Sequence, residues 1–204
     1  MLYVTNSEKI SPINEPAFKE WQVITGALGS GEQILILRKG GISEGRAGFQ
    51  VEAKRFWLFP TQFHAQREKT KPAAARWFPP ASVAPAAPAP ATITLRYFAD
   101  IVQTAFLSRW KNVAALDPFH FWTEAAVREK FDWNEPAGLH VLVVRIHRLH
   151  APVTLTLSPE MSGCKSWIDL PCDFAATASS PALDDHSFAA RLAALTRLLP
   201  SPVA

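Results

Sequence analysis

Leu139-His140-Val141-Leu142-Val143-Val144-Arg145-Ile146-His147-Arg148-Leu149 is the stretch that decides the fold. Val141 to Val144 leaves no polar face, so the segment predicts a strand buried on both sides, at the centre of a sheet. Val153 to Leu157 follows as a further strand. Upstream, Ile93, Leu95 and Tyr97 alternate with Thr94 and Arg96, the pattern of a strand with one wetter face. That run extends to Leu107, and its length predicts a bend or two strands. Between these segments, Asp117-Pro118 offers an N-cap followed by proline at the first helical position. Phe119, Trp122, Ala126, Val127 and Phe131 then fall on one helical stripe.

Toward the N-terminus, Asn14-Glu15-Pro16 predicts a helix start and a short helix to about Trp21. Gln22 to Leu28 reads as a strand, Gly29-Ser30-Gly31 as a turn, and Gln33 to Arg38 as the second strand of a hairpin. Residues 40–55 read as a loop, and Phe56 to Phe59 as a third strand. Residues 68–92 are expected to form an exposed Ala/Pro-rich loop, because the prolines interrupt both ladder and helix. Arg67, Lys69, Lys71 and Arg76 make its entry basic, which reads as a tolerated insertion or as a tether for a polyanion. An Ala/Leu-rich helix is expected over 184–199. Phe188, Leu192, Leu195 and Leu199 form its buried face, and Asp184 and Asp185 suit its positive end. This order lacks the strand–helix alternation of a doubly wound sheet. The expected class is α+β, a mostly antiparallel, curved or barrel-like sheet flanked by helices, in a single domain over residues 1–204.

Composition narrows the function classes. Hydrophobic residues make up 48% of the 204 and charged residues only 19%, against an average charged share of about 25%. The chain can therefore bury a sizeable core and is not a disordered one. A formal net charge of +3 and a pI near 9.0 suit an anionic ligand, although one solvated basic face would produce them. No run approaches the roughly 18 apolar residues of a membrane-spanning helix. Residues 1–10 lack the basic-then-apolar pattern of a secretory leader. Two cysteines are too few for a disulfide scaffold, so a cytoplasmic setting with reduced thiols is expected. No cofactor and no metal site are predicted. His147 and His150, three apart on a strand, point to opposite faces, and Cys164 with Cys172 would need two more ligands and a tighter spacing.

Polar groups gather at two strand ends, where sites tend to sit. At the first, Arg38 and Lys39 precede Gly40 and Gly41. Glycine N–H groups beside cations suit phosphate or carboxylate, but the glycine spacing and the Lys-Ser/Thr of a P-loop are missing. The plainer reading is two solvated cations and a turn. At the second, Thr61 and His64 could hydrogen-bond a ligand or supply a general base. Topology decides whether the two ends meet. A simple hairpin of 33–38 with 56–59 would separate Lys39 from Thr61 by roughly 15–20 Å, at about 3.3 Å per residue. A parallel arrangement would place them together.

The leading expectation is a binding module for an anionic ligand, nucleic acid or a nucleotide. Arg38, Lys39, Gly40 and Gly41 would hold phosphate, and Thr61, His64 and Arg145 would orient the ligand. A second reading is a Mg²⁺-dependent nuclease or phosphodiesterase, because Glu52-Ala53-Lys54 matches half of such a site and Glu20 could add a carboxylate. No Pro-Asp partner stands at a convincing spacing. A third reading is a protein-interaction module docking through the C-terminal helix or the Ala/Pro segment. A hydrolase built on Cys164 competes with a buried, inert thiol beside Trp167. Trp57, Tyr97, Trp122 and Trp167 either stack bases or fill the core.

Lys19-Glu20-Trp21, Leu35-Ile36-Leu37-Arg38-Lys39-Gly40-Gly41-Ile42 and Phe56-Trp57-Leu58-Phe59-Pro60-Thr61 with His64 are familiar together. So are Val144-Arg145-Ile146-His147-Arg148-Leu149 with Pro152, and Gly163-Cys164-Lys165-Ser166-Trp167. Over residues 17 to 170 the chain resembles an uncharacterised bacterial family catalogued only as a domain of unknown function, a likeness that implies no activity. More loosely, residues 93 to 157 resemble the small barrels of the PUA, EVE and ASCH group, which bind RNA or modified bases. That resemblance implies a PUA-like barrel.

Overall fold

In the computed structural model, residues 14–39, 49–62, 65–78, 91–133 and 135–200 are described. Their strands form one sheet in the order β2 (Leu35–Arg38), β5 (Leu139–Thr156), β4 (Thr92–Leu107), β3 (Arg55–Thr61), β1 (Glu15–Trp21), β6 (Trp167–Leu170), with β7 (Ser179–Pro181) also paired to β5. At its centre, β4 (Thr92–Leu107) and β5 (Leu139–Thr156) form a long antiparallel ladder. Val141, Leu142, Val143 and Val144 are each fully buried, as the unbroken apolar run predicts. The expected break after Leu149 is a register shift within one strand: residues 149–152 stand opposite the single residue Arg96. A second shift leaves Val102 unpaired. Such bulges bend a strand and sharpen its twist.

β2 (Leu35–Arg38) pairs antiparallel with β5 on one edge, and β3 (Arg55–Thr61) pairs antiparallel with β4 on the other. β2 and β3 therefore do not form the hairpin considered above. Beyond β3, β1 (Glu15–Trp21) adds in parallel and β6 (Trp167–Leu170) antiparallel to β1. β7 (Ser179–Pro181) continues the β5 edge past β2. Bending brings the two sheet edges together. Arg38 on β2 reaches Ser166, just ahead of β6, and covers the ring of Phe18 on β1. Phe18, Phe49, Phe56 and Trp167 seal the seam with ring centroids 5.0–6.4 Å apart. The α+β class and the curved, mostly antiparallel sheet agree with the sequence.

The N-terminal elements are exchanged relative to expectation. Residues 15–21, read as helix, are β1, and 22–28, read as strand, lie in helix α1 (Gln22–Gly29). The reason is burial. Val23, Ile24, Thr25, Ala27, Leu28 and Gly29 are all enclosed, and a helix apolar on most sides shows no 3.6-residue period. Pro16 is tolerated in β1 because the ladder to β3 begins one residue later, at Ala17. Residues 68–78, expected within an exposed loop, contribute to α2 (Gln66–Lys69) and to a 3₁₀ turn (Pro72–Trp77), the latter packed on α1. There Gly26 leaves room for the Trp77 ring. Residues 79–90 lie outside the described set.

A short helix α3 (Trp110–Ala114) follows β4. Asp117-Pro118 opens only a 3₁₀ turn (Asp117–Phe119), and α4 (Glu124–Asp132) starts later, capped by the Thr123 hydroxyl. α5 (Asp185–Thr196) is capped by Asp184 and buries Phe188 and Leu195; it stops short of the expected 199, Leu199 is buried just beyond it, and Leu192 is only partly buried. Its apolar stripe is thus covered within the chain.

Gly29 carries α1 against β4: a Cβ there would lie 2.1 Å from the Tyr97 ring. Gly29→Ala is expected to cost about 1–3 kcal/mol by overpacking, read as a lower urea midpoint. An unchanged midpoint would contradict helix α1 resting on Tyr97.

Candidate functional site

β1 turns Phe18 and Glu20 to the same face, two residues apart. Glu20 is 1% exposed, although it is a carboxylate. Its Oε1 accepts from the Trp21 N–H at 2.6 Å. Its Oε2 is buried and receives no donor, which ordinarily costs about 1–3 kcal/mol or more for a charged group. Thr61 Oγ1 donates to the Glu20 carbonyl at 3.1 Å, and Gln66 Nε2 donates to the Thr61 carbonyl at 2.8 Å. The Thr61 corner is therefore stitched to the backbone under Glu20.

β2 supplies Arg38. Its Nε and Nη2 both donate to Ser166 Oγ, at 3.1 and 2.7 Å, and its guanidinium lies 5.0 Å from the centre of the Phe18 ring. α4 supplies Lys130, whose ammonium lies 3.2 Å from the Trp122 ring centre and 5.6 Å from that of Trp21. The two indoles are 4.3 Å apart. Burial pushes the Lys130 pKa down to about 7, helped by the Arg38 and Lys69 cations and opposed by Glu20 and Glu129. Lys130 thus feels the charge of both Glu20 and Arg38. No ion pair joins them, and neither cation has a carboxylate partner among the described residues.

Lys39 donates to the carbonyls of Phe131, at 3.4 Å, in the last turn of α4, and of Pro136, at 2.7 Å, beyond its end. Burial lowers its pKa, partly offset by Glu135 and Asp132. Nearby, His120 is held neutral with a pKa of about 4, by burial first and by the Lys71 cation second.

The predicted site residues are distributed as follows. Arg38 sits over Phe18, and Thr61 pairs with Trp21. Three residues of β1 separate those contacts, roughly 10 Å, so curvature brings these two to one end of the sheet. Gly40, Gly41 and His64 lie outside the described residues. Arg145 is engaged elsewhere. It donates to Asp185 Oδ1 at 2.6 Å and to the Leu183 carbonyl, and it covers the Phe188 ring at 4.4 Å, pinning α5 to the sheet.

The nuclease constellation does not assemble. Glu52 and Lys54 are exposed, while Glu20 is buried opposite Pro60. Six residues of β3 separate Lys54 from Pro60, roughly 20 Å. Cys164, expected to be buried beside Trp167, is exposed. Trp57 and Trp122 are fully buried and Trp167 nearly so; these rings fill the core. The basic run is neutralised locally: Lys69 pairs with Glu129, Lys71 with Asp117 and Arg76 with Glu32, while Arg67 covers Phe78.

Lys130 was not singled out in the sequence, and Glu20 was singled out for other chemistry. The signal for Lys130 was present. It stands four residues after Ala126 and next to Phe131, on the apolar stripe of α4. A lysine placed on a core-facing stripe must either reach solvent or find something to hold.

The chain belongs to the family described as Domain of unknown function (DUF1802), which it matches over residues 17–194. That assignment agrees with the resemblance drawn from the motifs. No curated protein matches the chain. Similar solved structures include the ASCH protein from Zymomonas mobilis, at 14% identity over 76% of this chain and 87% of that one, with a TM-score of 0.44. Two point mutants of the same protein match at 14% and 13% identity, over 89% and 91% of this chain and 97% and 99% of theirs, each with a TM-score of 0.45. No helix among the described residues is long and apolar enough to cross a membrane.

The Lys130 geometry makes a sign-definite prediction. The unfolded chain keeps this proton up to the ordinary 10.5, whereas the fold sheds it near 7. The free energy of unfolding therefore gains a rising contribution between those pH values. Lys130→Met should flatten that rise relative to wild type in urea titrations. Parallel pH profiles for the two proteins would contradict the enclosed ammonium.

Proposed function

We propose that the protein binds a nucleotide or single-stranded nucleic acid at the Arg38–Lys130–Glu20 cluster. One observation carries this reading: Arg38 and Lys130 have no carboxylate partner among the described residues, and Lys130 feels the charge of Glu20, whose buried Oε2 accepts no hydrogen bond. A simple inorganic anion would satisfy the cations and be repelled by Glu20. A nucleotide offers both kinds of group, with phosphate oxygens for Arg38 and Lys130 and a base N–H or ribose hydroxyl for Glu20 Oε2. Ser166 holds the Arg38 fork in place without neutralising it. Lys39, at the end of α4, adds positive charge along the same rim. The free thiols Cys164 and Cys172 suit a reducing, cytoplasmic setting.

Phosphate contacts make affinity fall steeply with salt. Binding of a mixed single-stranded oligonucleotide library should weaken markedly between about 50 and 200 mM salt. Arg38→Ala combined with Lys130→Met should reduce it at least tenfold. The loss expected from two charge-assisted contacts, each about 1.5–3 kcal/mol, exceeds that figure. Affinity should also decline as pH rises through about 7, where Lys130 loses its proton, and the double variant should lack that step. Unchanged binding in the variant would refute the assignment.

A further inference from the structure

A cleft of about 370 Å³ opens between α1, the 3₁₀ turn and the β3–β4 corner. It shares no lining residue with the Glu20–Lys130 cluster. We propose that this cleft is a second ligand site, taking a single nucleotide unit: a planar polar ring carrying an anionic group.

The cleft is preformed. Leu58 and Pro60 of β3 and Ile93 of β4 give it apolar surface, and Trp77 and Tyr97 stand at its sides. Trp77 is fixed by Gly26, where a Cβ would lie 2.7 Å from its side chain, and by edge-on packing with Phe121 at 4.6 Å. Tyr97 is fixed against Gly29. Rigid aromatic and aliphatic walls with a few placed polar groups are the usual make-up of a small-molecule site, and the volume falls in the lower part of the roughly 300–1,000 Å³ range. That suits one nucleotide rather than a dinucleotide.

The polar groups define the chemistry. Gln62 Nε2 donates to Gln22 Oε1 at 3.3 Å. That bond uses neither the Gln22 amide N–H groups nor Gln62 Oε1, so the pair still offers a donor and an acceptor, the two kinds of group a heterocyclic base edge requires. The Thr25 hydroxyl is already used on the Gln22 carbonyl, and Thr94 shares a hydrogen bond with Thr154. Arg96 lines the cleft, is exposed, and has no acidic partner among the described residues. Among the described residues no Asp or Glu lines the cleft, so it favours a guest with negative charge over a cationic one. Arg96 is also the residue that residues 149–152 of β5 bypass, which sets it outside the β4–β5 register.

The test is titration with adenosine, guanosine, cytidine and uridine 5′-monophosphates, with free nucleosides and ribose 5-phosphate as control arms. At least one monophosphate should bind with a dissociation constant below about 1 mM. Gln62→Ala and Arg96→Ala should each weaken it roughly tenfold. Arg96→Ala should affect the monophosphate more than the matching nucleoside. Both side chains are exposed, so neither variant removes core packing. Arg38→Ala with Lys130→Met should leave this binding unchanged, which separates it from the oligonucleotide site. Absence of binding by all four monophosphates, ribose 5-phosphate binding as tightly as any of them, or indifference to both variants would overturn the proposal.

Discussion

The β4–β5 ladder is the constraint on which the rest of the molecule hangs. It is continuous except at two register shifts, and those shifts turn the sheet. Without them, β2 at one edge and β6 at the other would lie far apart in a flat sheet. With them, Arg38 from one edge rests on Phe18 and Ser166 at the other. Closure at this seam is made by side chains, a guanidinium on a hydroxyl and an aromatic cluster, rather than by a continuous ladder. The same curvature leaves an end of the barrel-like sheet where β1 hands over to α1 and where Lys130 of α4 lies by the Trp21 ring.

The charge distribution divides into two kinds. On the periphery, cations meet carboxylates: Arg55 with Asp100, Arg145 with Asp185, Arg128 with Asp132, and the basic run with Glu129, Asp117 and Glu32. Exposed pairs of this type contribute little stability each. At the barrel end the arrangement is reversed. Lys130 is held against indole rings, Arg38 against a hydroxyl and a phenyl ring, and Glu20 keeps one oxygen unpartnered. Burying the Glu20 carboxylate without a full set of donors destabilises the free protein.

Much of the fold was legible in the residues. The unbroken Val141–Val144 run gave the central strand, and the alternation from Ile93 gave its neighbour. Asp184 and the Phe188–Leu195 spacing gave α5. What misled was burial without periodicity. Gln22–Gly29 is enclosed on most sides, so it reads like a strand, and β1 ahead of it begins with Pro16 in a helix-like position. The site was half legible. Arg38 stands out because it ends an apolar strand beside glycines. Lys130 is hidden inside a helix whose stripe drew attention only for its apolar members. Arg145 looked equally suitable, but a local sequence window cannot show that Asp185, forty residues on, takes up its charge.

The most direct measurement is the titration of the Lys130 ε-methylene by ¹³C NMR in the free protein and with a short phosphodiester oligonucleotide added. The enclosed, unpaired ammonium should titrate near 7 when free and shift upward on binding, as phosphate stabilises the charged form. A free-protein titration near the ordinary 10.5, or a midpoint indifferent to saturating oligonucleotide, would contradict the account.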